Sequence, residues 1–228
     1  VARRQANRQG EARQEETKIT FDKGQGLAHD KPKQSPSGQR SFMKYEYELI
    51  VERHSYPDNP RDCDWQENDT KMVCFHPQYK LGDKHSYRQE DYESWEELEN
   101  AIMQKENVAK ISPLYLYDHG AITIRTRPFS CSWDSGQVGF VYITQQSSID
   151  CGYEGSLDEL IEQEVNRYDC YLTGNVYRYS IYEVEKCSSG QEHKTCVDSV
   201  GDFYDEVSCK TTGEAEMEAL QRQVSSQR

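Results

Sequence analysis

Two S-x-x-E capping boxes, Ser94-Trp95-Glu96-Glu97 and Ser156-Leu157-Asp158-Glu159, stand among runs in which apolar and polar residues alternate one by one. That mixture of two periods limits the fold more than any other feature. In a capping box the serine hydroxyl accepts from the N–H three residues on, and the glutamate reaches back to the serine N–H. Apolar residues at a spacing of 3.6 then call for a helix, and strict alternation calls for a strand with one wet side. The first box predicts a helix over about 95 to 106, with Trp95, Leu98, Ile102 and Met103 on one face. The second predicts a helix over about 157 to 172, carried by Leu157, Leu160, Ile161, Val165, Tyr168 and Leu172. Asp158, Glu159, Glu162 and Glu164 suit the positive end of that helix, and Gly174 lies where a left-handed stop belongs.

The strands read as follows. Tyr45, Tyr47, Leu49 and Val51 alternate with Glu46, Glu48 and Glu52. Lys71 to His76, Val108 to Tyr117, Ala121 to Thr126, Gly139 to Thr144 and Asn175 to Lys186 are β-rich runs, and Asp118-His119-Gly120 has the composition of a hairpin turn. Beyond Cys187 the pattern weakens, apart from an apolar stretch over Val200 to Val207 and a helical spacing through Met217, Leu220 and Val224. Strands and helices are mixed rather than strictly alternating. The predicted class is α+β: a mainly antiparallel sheet with two helices packed on one face.

Apolar residues make up 35% of the chain, but they are unevenly spread. Before Met43 the large ones are Ile19, Phe21, Leu27 and Phe42, too few to offset the entropy of ordering the segment. Residues 1–42 are therefore expected to be a disordered basic tail, or an extension from a start placed too far upstream, with Met43 as the working start. Residues 43–210 form the expected domain, and residues 211–228 a polar helix or tail.

Charge divides near the same boundary. Residues 1–40 carry a net +4 and the rest −17, giving −13 overall. An acidic domain is repelled by nucleic-acid backbones and anionic lipid, so nucleic acid enters only through mimicry of its charge. The expected partner is a protein, and a basic one. No apolar run approaches the ~20 residues of a membrane span, and the N-terminal stretch has no apolar core of a secretory signal. The expectation is a cytoplasmic protein whose eight cysteines are reduced thiols.

Chemistry-bearing residues concentrate between Pro113 and Gly139. A thiol nucleophile would use Cys131, with His119 as base and Asp134 or Asp118 orienting the imidazole. A hairpin of the Val108 to Tyr117 and Ala121 to Thr126 runs argues against this, because it places the 118–120 turn and the 128–138 loop at opposite ends of the second strand and so works against a shared site. A recognition surface would instead use Trp133 and Tyr117, with Phe129, Tyr115, Asp118, Asp134, Ser135 and Gln137 nearby. A third constellation, Cys187, His193, Cys196 and Cys209, has ligand types suited to a structural zinc ion but lacks paired C-x2-C knuckles. The chain has no G-x-G-x-x-G, P-loop, G-x-S-x-G or H-E-x-x-H motif, which removes the enzyme classes those motifs mark.

Three long segments carry a resemblance. They are Ile111-Ser-Pro-Leu-Tyr-Leu-Tyr-Asp-His-Gly-Ala-Ile-Thr-Ile, Phe129-Ser-Cys-Ser-Trp-Asp-Ser-Gly-Gln-Val-Gly-Phe-Val-Tyr and Tyr168-Asp-Cys-Tyr-Leu-Thr-Gly-Asn-Val-Tyr. With Asp202-Phe203-Tyr204, they resemble a family of small acidic uncharacterised proteins encoded by bacteriophages and related mobile elements. The resemblance runs from about Met43 to Tyr204, and family members begin near the equivalent of Met43. Ser132 stands where the family has proline, and Ala121 departs in the turn. The family has no established activity, so the resemblance transfers no catalytic residue. It implies a phage-type accessory protein in a bacterial cytoplasm. The expected function is a non-enzymatic acidic interaction module acting on a host or defence factor; the alternatives are a Cys/His-dependent hydrolase or transferase and a zinc-stabilised interaction module.

Overall fold

The computed structural model describes residues 46–62, 68–187 and 190–226. The expectations for residues 1–42 and for Met43 lie outside them. The described residues belong to one compact unit within Lys44–Arg228, and they are α+β with two antiparallel sheets.

The four-stranded sheet has the order β2-β5-β3-β4, from β2 (Lys71–Cys74), β5 (Ser135–Thr144), β3 (Val108–Asp118) and β4 (Ile122–Arg125). Helix α1 (Trp95–Lys105) packs Leu98 and Ile102 against Val73, Phe140 and Tyr142 on one face. Helix α3 (Leu157–Thr173) packs Ile161, Val165 and Tyr168 against Met72, Cys74, Leu114, Leu116 and Val141 on the other. The α+β class therefore holds, but the two expected helices sit on opposite faces of this sheet rather than sharing one. The reason lies in β5, which is buried from Val138 through Ile143 and needs cover on both sides. Each large side chain so buried contributes about 1.5–3 kcal/mol. Gly139 lets β2 come close, since a Cβ there would run into the Val73 carbonyl.

The three-stranded sheet has the order β1-β6-β7, from β1 (Glu46–Arg53), β6 (Tyr177–Lys186) and β7 (Glu192–Phe203). Helix α4 (Glu206–Ser226) covers one face through Cys209, Met217 and Leu220 against Leu49, Val51, Tyr179 and Ile181. It begins at Glu206, ahead of the polar helix or tail expected over residues 211–228, and is continuous with the domain. Asp205 starts it by accepting from the N–H groups of Ser208 (2.7 Å) and Val207 (3.4 Å), and the Ser208 hydroxyl, with these N–H groups, holds its carboxyl below the usual range. A short helix, α2 (Gln145–Asp150), follows β5 and is capped by Thr144.

The predicted helix ends are present in detail. Ser156 and Glu159 form the reciprocal box, at 3.2 and 3.1 Å. Gly174, at φ +71°, closes α3 with bonds from Gly174 N to Tyr171 O and from Asn175 N to Cys170 O, the paired pattern of a left-handed stop. At α1 the box is half-made: Ser94 accepts from Glu97 N, but the Glu97 carboxylate accepts from Glu93 N instead of Ser94 N.

Candidate functional site

Strand β3 ends at Asp118 and pairs with β4 on one side and β5 on the other. The hairpin forms and β4 does carry the chain away from His119, but the expected separation of the turn from the 128–138 loop is overturned. The following loop, residues 126–134, then runs back. Pairing of Tyr117 with Ser135 sets its last residues beside the β3 end. Asp118 N donates to Asp134 O at 2.8 Å and fixes that return.

Cys131, His119 and Asp134 thus converge. The imidazole Nδ1 of His119 lies 3.3 Å from Asp134 Oδ2, and the Cys131 thiol donates to the same oxygen at 3.9 Å. Ser135 Oγ donates to the Cys131 carbonyl and holds the loop's chain path. The order of the three groups is that of a tether, not a relay. A nucleophilic thiol needs a base or cation at the sulfur, with the carboxylate behind the imidazole. Here the carboxylate stands between thiol and imidazole. His119 is also 73% exposed, so no enclosed site excludes water.

Part of the set expected for recognition forms a row. Arg125, Phe129, Tyr117 and His119 stack in a row, with the guanidinium 3.8 Å from the Phe129 ring centre and ring centres 5.6 and 6.1 Å apart. Arg125 is held in place by donating to the carbonyls of Arg127 (2.9 Å) and Pro128 (2.6 Å). Tyr79 OH donates to Asp118 Oδ2 at 3.2 Å, which raises the Tyr79 pKa. Trp133 projects from the loop with 94% of its surface in water. Gln137 bonds to Gly139 O along its own strand, and Tyr115 lies half-buried further down β3.

No protein family, curated protein or solved structure matches the chain.

The zinc ligand set does not assemble. On β7, His193 pairs with Glu185 and Cys196 with Tyr182, and their separation of three residues points them to opposite faces of the strand. Cys187 lies beyond the end of β6, and Cys209 is fully buried on α4. Among the described residues no group of three or more His, Cys, Asp or Glu could hold a metal ion. All seven described cysteines are free thiols, and no described helix is long and apolar enough to cross a membrane.

The structure also contains a polar centre that the sequence reading passed over. Arg61, whose side chain is 1% exposed, donates to Glu164 Oε2 (2.9 Å), to both Asp83 oxygens (3.2 and 2.5 Å) and to Thr70 O (2.8 Å). Thr70 Oγ1 and Asp69 N donate to the same Glu164 carboxylate. One signal was available: Glu164 lies four residues from both Leu160 and Tyr168, inside the apolar stripe of α3. A carboxylate in that position needs a buried partner. The network fixes the loops at Asn59–Asp62 and Leu81–Lys84, which border a groove of about 800 Å³.

Proposed function

We propose that this protein is an accessory protein of phage type that acts as a non-enzymatic interaction module, with the loop carrying Trp133 as its recognition tip. The observation that carries the reading is an indole 94% exposed on a loop tied down at its base by the Asp118–Asp134 bond. Trp is enriched among the residues that anchor interfaces, and losing such an anchor costs ~2 kcal/mol or more of binding. The neighbouring row from Arg125 to His119 offers further flat apolar area with little side-chain entropy to lose.

The partner is a basic protein in the host cytoplasm, such as a host or defence factor. The net −17 of residues 41–228 supports this, since a surface of that sign steers cationic partners and repels anionic ones. Asp118 and Asp134 place carboxylates at the foot of the tip. Cys131 serves the shape of the loop rather than bond-making, because the group its thiol meets is a carboxylate.

The test is capture of a defined partner from host lysate by the full chain, repeated with Trp133→Ala and with Asp118→Asn/Asp134→Asn. Trp133→Ala is expected to leave melting unchanged and weaken the complex by roughly thirtyfold, the equivalent of ~2 kcal/mol. The reading fails if the captured complex is as tight with Trp133→Ala as with the wild type. Hydrolysis of acyl or phosphoryl model substrates that disappears with Cys131→Ser would reject the non-enzymatic part.

A further inference from the structure

The groove walled by the segment from Cys74 to Glu90 belongs to neither the tip nor the expected zinc set. At about 800 Å³ it has the size of a small-molecule site. Phe75, Leu81 and Tyr87 give it an apolar lining. Its base is rigid. Arg61 clamps Asp83, and Gly82 takes φ +66° where an added Cβ would lie 2.6 Å from the Met72 carbonyl. The Tyr168 hydroxyl accepts from Gly82 N at 3.1 Å, which fixes the loop's path from below.

The lining charges do not follow the rest of the chain. From His76 to Arg88 there are three Lys/Arg and one acid, in a protein of net −13. Of the acids lining the groove, Asp83 is answered by Arg61 and Asp62 by Lys84 at 2.9 Å. Lys80 and Arg88 remain, both solvent-exposed and without an ion pair among the described residues, against Glu90; Lys80 also helps Lys84 to lower the Asp62 carboxyl. Aromatic faces accompany these cations. His76 and Tyr79 stack at 4.7 Å and 23°, and Phe75 meets His85 edge-on at 5.1 Å.

We infer that this groove binds a nucleoside phosphate, with the phosphate held by Lys80 and Arg88 and the base laid on the His76–Tyr79 stack. Exposed ammonium and guanidinium groups supply charge-assisted donors to phosphate oxygens. A flat ring pair supplies a stacking platform that tolerates any base. The pre-formed floor keeps the ordering cost low. The site touches the foot of the tip through the Tyr79–Asp118 bond but does not include Trp133, so Trp133 variants test the two readings separately.

The experiment is isothermal titration of the full chain with AMP, ATP, GTP, adenosine and inorganic phosphate. Saturable binding of the nucleotides is expected, tighter than either adenosine or phosphate alone. Lys80→Glu/Arg88→Glu should weaken it tenfold or more, and Tyr79→Ala should weaken nucleotides toward the affinity of phosphate. Trp133→Ala should leave it unchanged. The charge-reversed residues lie on the surface, so the variants should melt as the wild type does. The inference is overturned if no nucleotide saturates at millimolar concentration, if phosphate binds as well as the nucleotides, or if the double charge reversal changes nothing.

Discussion

Arg61→Met tests the packing of the whole domain through one side chain. Arg61 is 1% exposed and joins Glu164, 3% exposed, to Asp83, 15% exposed. After the substitution Glu164 keeps two donors, Thr70 Oγ1 at 2.6 Å and Asp69 N at 2.9 Å, but no cation. Asp83 keeps Met72 N at 2.6 Å. Removing one member of a buried pair strands the other charge and costs about 3–5 kcal/mol. Against a total stability of ~5–15 kcal/mol, that is a large fraction. At about 2–4 °C per kcal/mol for a domain of this size, the melting point should fall by roughly 6–20 °C. Urea unfolding followed by far-ultraviolet circular dichroism gives the free energy directly. A double-mutant cycle with Glu164→Gln separates lost attraction from stranded charge. The double variant should be no less stable than Arg61→Met alone, because the amide needs no counter-ion. Two local losses should accompany the global one: faster exchange of the Met72 amide hydrogen and looser walls around the groove. A cost under about 1 kcal/mol would show that water already screens the pair, and the argument from a dry network would fail.

Three further outcomes follow from the same packing. Burial pushes the Cys74 thiol and the Tyr168 phenol up to about 12, while an unfolded chain releases these protons near ~8.5 and ~10. The folded state then holds more protons than the unfolded one, so stability should fall as pH rises from about 8.5 toward 12; a urea midpoint constant up to pH ~11 would contradict this. At Gly213 an added Cβ would lie 2.7 Å from Leu49 Cδ1 and 3.1 Å from Tyr179 Cγ, and Tyr179 is tied to Asp198 at 3.1 Å. Gly213→Val should therefore cost about 1–3 kcal/mol despite its better helix propensity, and an unchanged melting point would mean that α4 does not approach the sheet so closely. In native-state alkylation read by mass spectrometry, the exposed Cys187 and Cys196 should label quickly, and the buried Cys74 and Cys209 only on unfolding. Rapid labelling of Cys209 would place α4 off the domain.

Local periodicity carried most of the elements. The two capping boxes, Gly174 and the Tyr45–Val51 alternation depend on neighbours within a few residues, and those are the interactions a sequence displays directly. Strand β7 did not show itself, because most of Glu192–Val200 is exposed and the residues alternate nothing. Its two register shifts against β6 break what period remains. The opposite-face placing of α1 and α3 was legible in principle. Val138-Gly-Phe-Val-Tyr-Ile143 is an unbroken apolar run, which marks a strand covered on both sides. The meeting of His119 with Asp134 was not legible locally. It depends on β5 lying beside β3 opposite β4, a long-range order that no spacing within the hairpin encodes. Arg61 was hidden for a similar reason, since its partners Asp83 and Glu164 lie 22 and 103 residues away.

The placement of the carboxylates bears on how a partner can engage the four-stranded sheet. An open sheet edge invites strand addition. At the β2 edge, Asp83 accepts from Met72 N at 2.6 Å and its own N–H donates to Met72 O at 2.9 Å, which satisfies both groups that Met72 would offer an incoming strand. At the β4 edge, Asp169 accepts from Ile124 N at 2.8 Å and Thr123 Oγ1 at 2.6 Å. Each edge is thus partly occupied by a residue of the same domain, and α1 and α3 pack on opposite faces. Backbone pairing with this sheet would require breaking bonds to charged acceptors, each worth about 1.5–3 kcal/mol. What the sheet leaves open to a partner is the end where β3 and β5 meet, and there the contacts come from side chains: Trp133, the row from Arg125 to His119, and the paired acids Asp118 and Asp134. On the proposed reading, recognition at this end depends on residue identity rather than on strand-like geometry. Trp133→Ala should therefore weaken, by the same roughly thirtyfold, a complex that no edge-strand substitution on β2 or β4 disturbs.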